Sequence, residues 1–171
     1  MEDRQWLREQ LASSVQGFVW AVEHLPAERR YSAPPMPNWL GQWSCARHVF
    51  HIQYQEYHVV QAGLKEMLHL PPNPEERPEE ESAWQQEQRP LEELLRRFQT
   101  LREQTGELIR VLSEEEWAAV REETNWEIPM NIQWFITKAL QHTLEHTHDA
   151  LRLYLFWDAA IEMAADPEKQ S

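Results

Sequence analysis

The stretch from Asn131 to Trp157, NIQWFITKALQHTLEHTHDALRLYLFW, contains neither proline nor glycine and is long enough for several turns of helix. Ile132, Phe135, Ile136, Ala139, Ala150, Leu153 and Trp157 recur at helical spacing and share one face. His142 and His146 fall inside that apolar stripe. A helix advances about 100° per residue, so positions four apart lie only about 40° apart around its axis. Two imidazoles directed together into a core form either a hydrogen-bonded polar defect or half of a metal site. His148 lies about 200° around the helix from His146 and points elsewhere.

The rest of the chain supplies partners for this helix. After Asp3, a candidate N-cap, Leu7, Leu11, Val15, Phe18 and Val22 repeat every three to four residues. That helix should stop near His24, because Pro26 follows closely. Pro26, Pro34, Pro35 and Pro37 mark a connection that Trp39, Leu40 and Trp43 can pin to the bundle. Ser44 is the expected N-cap of a second helix reaching about Leu68, with Phe50, His51, Tyr54, His58 and Gln61 facing inward. Residues 70–87 are acidic and proline-rich, and read as a surface loop of solvated glutamates.

A third helix opens around Pro90, with Leu91, Leu94, Leu95, Phe98, Leu101, Leu108 and Val111 as its stripe. Ser113 with Glu116 predicts a capping box for a short turn. Asn131 then caps the last helix, and the tail DPEKQS after Ala165 should fray. Four long helices with no internal repeat predict an all-α, four-helix bundle, folded as a single domain over residues 1–171.

Composition narrows the function classes. Only four glycines fit a helical chain. The single cysteine, Cys45, excludes an internal disulfide and points to a reducing, cytoplasmic setting. A formal net charge of −13 argues against nucleic acid and against an anionic membrane surface, both of which reward a basic face. No apolar run reaches the ~18 residues a membrane span needs. The nine tryptophans are expected mostly as core or interface anchors.

Zinc and nickel favour imidazole ligands, and a catalytic site of this kind typically uses three protein ligands and leaves one position open. His142 and His146 can bind one ion from a single helix. A third ligand must come from another helix, and His51 is best placed, with His48 as the alternative. His58 lies two turns beyond His51, too far to share the ion, and His69 sits at a helix end. Cys45 reads as a buried, inert thiol. Glu56, Glu145 and Asp149 are the acids nearest the histidines that could accept from an imidazole, although Glu145 suits a solvated face. There is no P-loop, GxGxxG or GxSxG motif.

These residues resemble a family. WSCARHVFH, from Trp43 to His51, resembles the tryptophan–serine opening of the second helix in DinB/YfiT-like proteins, where a metal-binding histidine follows the tryptophan by eight residues. HTLEH, from His142 to His146, resembles that family's HxxxH on the last helix, and the likeness covers essentially the whole chain. The resemblance implies a bundle of up-down-down-up connectivity. It also implies a site for zinc, nickel or a similar divalent ion at His51, His142 and His146, and homodimers. It points to a metal-dependent enzyme of thiol-S-transferase or hydrolase type acting with a low-molecular-weight thiol or another small molecule. A non-catalytic binding or stress-response module on the same bundle is the alternative. The chain departs from the pattern after His146, where many relatives carry a further histidine and this one continues Thr147-His148-Asp149-Ala150.

Overall fold

The computed structural model describes residues 2–121 and 129–165, and its architecture is all-α. The link at 122–128 and the tail DPEKQS lie outside the described residues. In chain order the elements are α1 (Glu2–His24), α2 (Pro37–Leu40), α3 (Cys45–Gln55), a π-helical segment (Glu56–Gln61), α4 (Ala62–Met67), α5 (Glu80–Gln85), α6 (Leu91–Val111), α7 (Glu114–Ala118) and α8 (Ile132–Ala165). A two-residue ladder, β1 (Val120–Arg121) with β2 (Met130–Asn131), closes the link before α8. None of the described helices is long and apolar enough to cross a membrane.

Local chemistry explains most boundaries. Ser44 Oγ accepts from Arg47 N, and the capping box at Ser113 and Glu116 forms as expected. Asn131 Oδ1 accepts from Trp134 N at 2.7 Å, capping α8. Two boundaries differ: α1 begins at Glu2, two residues before the start an Asp3 cap would give, and Pro90 stands just before α6 rather than within its first turn. The second long helix is continuous from Cys45 to Met67, but a π segment interrupts its α register at Glu56. A uniform 3.6-residue period does not carry through such a segment. His58, inside this segment, is half-buried and packs between Tyr54 and Tyr57, at 4.6 and 4.8 Å between ring centroids.

Contacting pairs give the topology. His48 meets His146 and His51 meets His142, so α3 runs antiparallel to α8. Gly17 approaches Thr147 and Trp20 approaches Tyr154, so α1 runs parallel to α8. Phe18 packs on Phe98, and Gly106 approaches Arg8, so α6 is antiparallel to α1. This is the up-down-down-up order, in which α3 and α6 are parallel. Two consecutive parallel helices need a connection that travels back along the bundle. The link from Leu68 to Pro90 does this, and it lays α5 across α3.

The interior has two apolar clusters. One gathers Phe18, Val22, Val49, Phe50, Leu94, Phe98, Leu153 and Trp157, and the other gathers Leu7, Leu11, Leu64, Ile109, Ile132, Phe135 and Ile136. Between them lies a buried polar layer containing Ser14, Glu56, Arg102, Thr105, Thr143 and His146. Two expectations fail on burial. Val111 is exposed, because Ile109 and Leu112 take the inward positions at the end of α6. Among the described tryptophans, Trp117 and Trp157 are buried and Trp39, Trp43 and Trp84 partly buried, as expected of anchors, while Trp6, Trp20 and Trp134 are exposed. The 70–87 segment is not all solvated, because α5 carries Glu80 into a partly buried position.

At Gly63 a Cβ would lie 2.6 Å from Phe135 Cζ, so α4 and α8 touch through a position that tolerates no side chain. Replacing a helix-interior glycine by alanine ordinarily stabilises by about 1 kcal/mol. Here the sign should reverse: Gly63→Ala is expected to cost about 1–3 kcal/mol as the buried Phe135 ring is displaced. A urea midpoint equal to or above that of the wild type would contradict this.

Candidate metal centre

The polar layer brings together the four histidines carried by α3 and α8 before Ala150, apart from the exposed His148. His51 Nε2 lies 3.0 Å from His142 Nε2, and His146 Nε2 lies 3.1 Å from the same atom. The ligand atoms of His51, His142 and His146 form a group compact enough to hold a metal ion. Two nitrogens each about 2.05 Å from a tetrahedral ion would sit about 3.3 Å apart, so a small adjustment of the rings would centre one. The pairing is otherwise unsatisfactory. A neutral ring nitrogen carries either one hydrogen or one lone pair. His142 Nε2 can therefore bond with only one of its two neighbours, and a cation among the three resolves this conflict.

The surrounding groups set the ring orientations. His51 Nδ1 lies 2.6 Å from Glu80 Oε1, so a neutral ring donates Nδ1–H to the carboxylate and turns its Nε2 lone pair toward His142. Glu80 is held by Arg47 Nη2 at 3.0 Å and by Gln55 Nε2 at 3.1 Å. Arg47 stacks over Trp43 at 4.7 Å. Trp43 in turn stacks on His146, their planes 7° from parallel, and packs against His48 and His51. Trp43 reaches this place because Gly41 takes φ +89° between α2 and α3, a region an L side chain rarely adopts. His48 Nδ1 is 2.8 Å from His146 Nδ1, on the edge of the ring opposite the three-histidine group.

Burial keeps these imidazoles neutral, the form that binds metal. It pushes His48 and His142 down to about 4 and His146 to about 2, with neighbouring histidines adding to each shift. It also lowers His51, where the bond to Glu80 opposes the effect. An unfolded chain binds these protons near pH 6.5. Stability contributed by the neutral cluster is therefore complete above about pH 6.5 and is lost as the pH falls toward the folded values. Metal-free protein should show a lower urea midpoint at pH ~5 than at pH ~7, a window above ordinary carboxylate titration. An unchanged midpoint would count against buried neutral rings.

His51, His142 and His146 thus meet as the spacing suggested, while His48 approaches the cluster through His146 alone. His148 and His69 are exposed. Cys45 is fully buried, and burial pushes its thiol up to about 12, in keeping with an inert residue. The carboxylate on the cluster is Glu80. Glu56 instead pairs with Arg102, Glu145 accepts from Gln141 on the surface, and Asp149 lies 3.8 Å from His146 Nδ1. No sequence signal separated Glu80 from the glutamates beside it, since its role depends on the path of the crossover. Glu80→Ala is expected to weaken divalent-ion affinity about 10–100-fold without abolishing binding. Competition against a metal-sensitive dye would measure this, and an unchanged affinity would make Glu80 a bystander.

No curated protein and no solved structure matches the chain significantly. The model of the DinB superfamily matches residues 9–150, a span that takes in His51, His142 and His146, all of α3 and the first half of α8. On that match, and with an all-α fold that places the paired histidine motifs against one another, the chain belongs to the DinB superfamily.

Proposed function

We propose that His51, His142 and His146 hold one divalent ion, zinc or nickel, and that the protein is a metal-dependent enzyme of thiol-S-transferase or hydrolase type. The observation that carries this reading is the convergence of three Nε2 atoms whose separations of 3.0 and 3.1 Å leave one nitrogen without a compatible partner. The all-nitrogen donor set suits zinc and nickel, and three protein ligands leave a coordination position for a small molecule. When bound, such an ion supplies Lewis acidity that lowers the pKa of a thiol or water toward neutrality.

The chain's own residues prepare the site. Glu80 fixes the tautomer of His51, and Arg47 holds Glu80 in place. The Trp43 ring packs against His48, His51 and His146 and holds the rings in place. The acidic surface disfavours nucleic acid and anionic membranes as partners, and the reading takes the substrate to be a small molecule such as a low-molecular-weight thiol. The lone, buried thiol suits a cytoplasmic protein. Leu144, Leu155, Phe156 and Ile161 are exposed along α8, which supports pairing with a second copy.

Metal analysis after reconstitution tests this proposal. About one equivalent of divalent ion is expected, with a melting temperature that falls on chelation. Less than about a tenth of an equivalent, with stability indifferent to chelator, would overturn it. A bound ion with no exchangeable water would favour the non-catalytic module.

A further inference from the structure

We propose a second cation position on the opposite edge of the His146 ring, formed by His48 Nδ1, His146 Nδ1 and the Asp149 carboxylate. It uses different atoms from the three-histidine group and shares only the His146 ring with it. The three ligand atoms lie within 4.8 Å of one another. His48 Nδ1 and His146 Nδ1 are 2.8 Å apart, and Asp149 Oδ2 is 3.8 Å from His146 Nδ1. Two donors at right angles around an ion, each about 2.1 Å from it, sit about 3.0 Å apart. The nitrogens already have that spacing. The carboxylate reaches it by a small rotation, against a single distant tether from Arg152 Nη1 at 4.0 Å.

The surroundings suit an ion that keeps water. Both rings are buried, at 5% and 9% exposure, and Trp43 fixes them. A cleft of about 250 Å³, lined by Leu40, Gly41, Gln42 and Trp43, opens onto the three groups. It has room for several waters of about 30 Å³ each, enough to complete an octahedral shell. Two imidazoles and one carboxylate on one face form a donor set for iron(II), manganese(II) or cobalt(II), whereas three imidazoles favour zinc and nickel.

The two positions exclude each other while His146 keeps its proton, because a neutral imidazole has a single lone pair. With the ion on the Nε2 edge, His146 donates Nδ1–H to His48. With the ion on the Nδ1 edge, Nε2–H points at His142 Nε2, 3.1 Å away. The second state leaves the lone pairs of His51 and His142 facing each other, so the three-histidine edge fills first. The other edge takes the ion when that set is broken.

Cobalt(II) titration of the metal-free full chain, followed by equilibrium dialysis and visible absorption, separates these cases. The wild type should bind one equivalent with the intense spectrum of four-coordinate cobalt. His142→Ala should still bind one equivalent, at least about tenfold more weakly, with the pale spectrum of six-coordinate cobalt. Adding Asp149→Asn to that variant should cost a further ~10–100-fold, and adding His48→Ala should abolish binding. Asp149 is only partly buried, so its arm survives if the buried His48 variant fails to fold. Loss of all cobalt from a folded His142→Ala overturns this proposal and leaves the three-histidine reading intact. Binding by His142→Ala that Asp149→Asn leaves unchanged also overturns it. A wild type that binds no cobalt sinks both.

Discussion

His146→Ala should leave less than about a tenth of an equivalent of divalent ion on protein reconstituted under conditions that load the wild type. The expectation follows from the position of the ring. Its Nε2 faces His142 within the three-histidine group, its Nδ1 faces His48, and its plane is stacked on Trp43. Among the described residues, no other side chain belongs to both compact ligand groups. The substitution should also remove the response of the melting temperature to chelator. Mass action gives an ion present at a thousandfold excess over its dissociation constant about 4 kcal/mol of stabilisation, so the wild type should lose several degrees on chelation while the variant loses none. His148→Ala, two residues along on the exposed face, is the control and should retain full metal. Circular dichroism would show whether the variant still folds. A folded His146→Ala that keeps a full equivalent would move the ion elsewhere.

The second large effect lies beneath the histidines. Glu56→Ala is expected to cost about 3–5 kcal/mol of stability, read from urea midpoints. Glu56 is 1% and Arg102 5% exposed, and Arg102 Nη2 lies 2.9 Å from Glu56 Oε2. That contact is ionic, since its angle falls short of a hydrogen bond. Thr105 Oγ1 donates to the other carboxylate oxygen, and Arg102 Nη2 also donates to Thr143 Oγ1 at 2.9 Å. Burial draws the Arg102 guanidinium below its ordinary value, and Glu56 opposes that shift. Removing the carboxylate strands a cation in the core, which costs more than the pair itself contributes. The double replacement Glu56→Leu with Arg102→Met should therefore recover most of the loss, and the double-mutant cycle should show strong coupling. Two single variants whose costs simply add would contradict a coupled pair. Thr143 adjoins His142, so Glu56→Ala should also weaken metal binding.

Much of the bundle was legible because each clue was local. The apolar periods of α1, α6 and α8, the caps at Ser44, Ser113 and Asn131, and the prolines of the first link each act over a few residues. The inward pair His142 and His146 followed from helical geometry alone, and His51 from its place on the second stripe. The π segment at Glu56–Gln61 leaves no such mark, because one inserted register shift leaves composition and mean spacing almost unchanged. Glu80 escaped for a different reason. Along the chain it is one acid among several in a proline-rich link, and only the crossover required by two parallel helices sets it on His51.

The sequence by itself therefore determined which residues could meet. Helical period and capping are short-range effects, and they decide which face each side chain occupies. Which nitrogens of the four clustered histidines oppose each other, and which carboxylate orients them, was decided by the tertiary structure. Antiparallel packing sets α3 against α8 so that His51 meets His142 and His48 meets His146, and the returning link brings Glu80 onto His51. Those contacts join residues from 29 to 98 positions apart, a range over which no local preference acts. The stretch from Asn131 to Trp157 thus supplies two of the three converging rings. The fold makes His146 the ring on which both edges of the cluster depend.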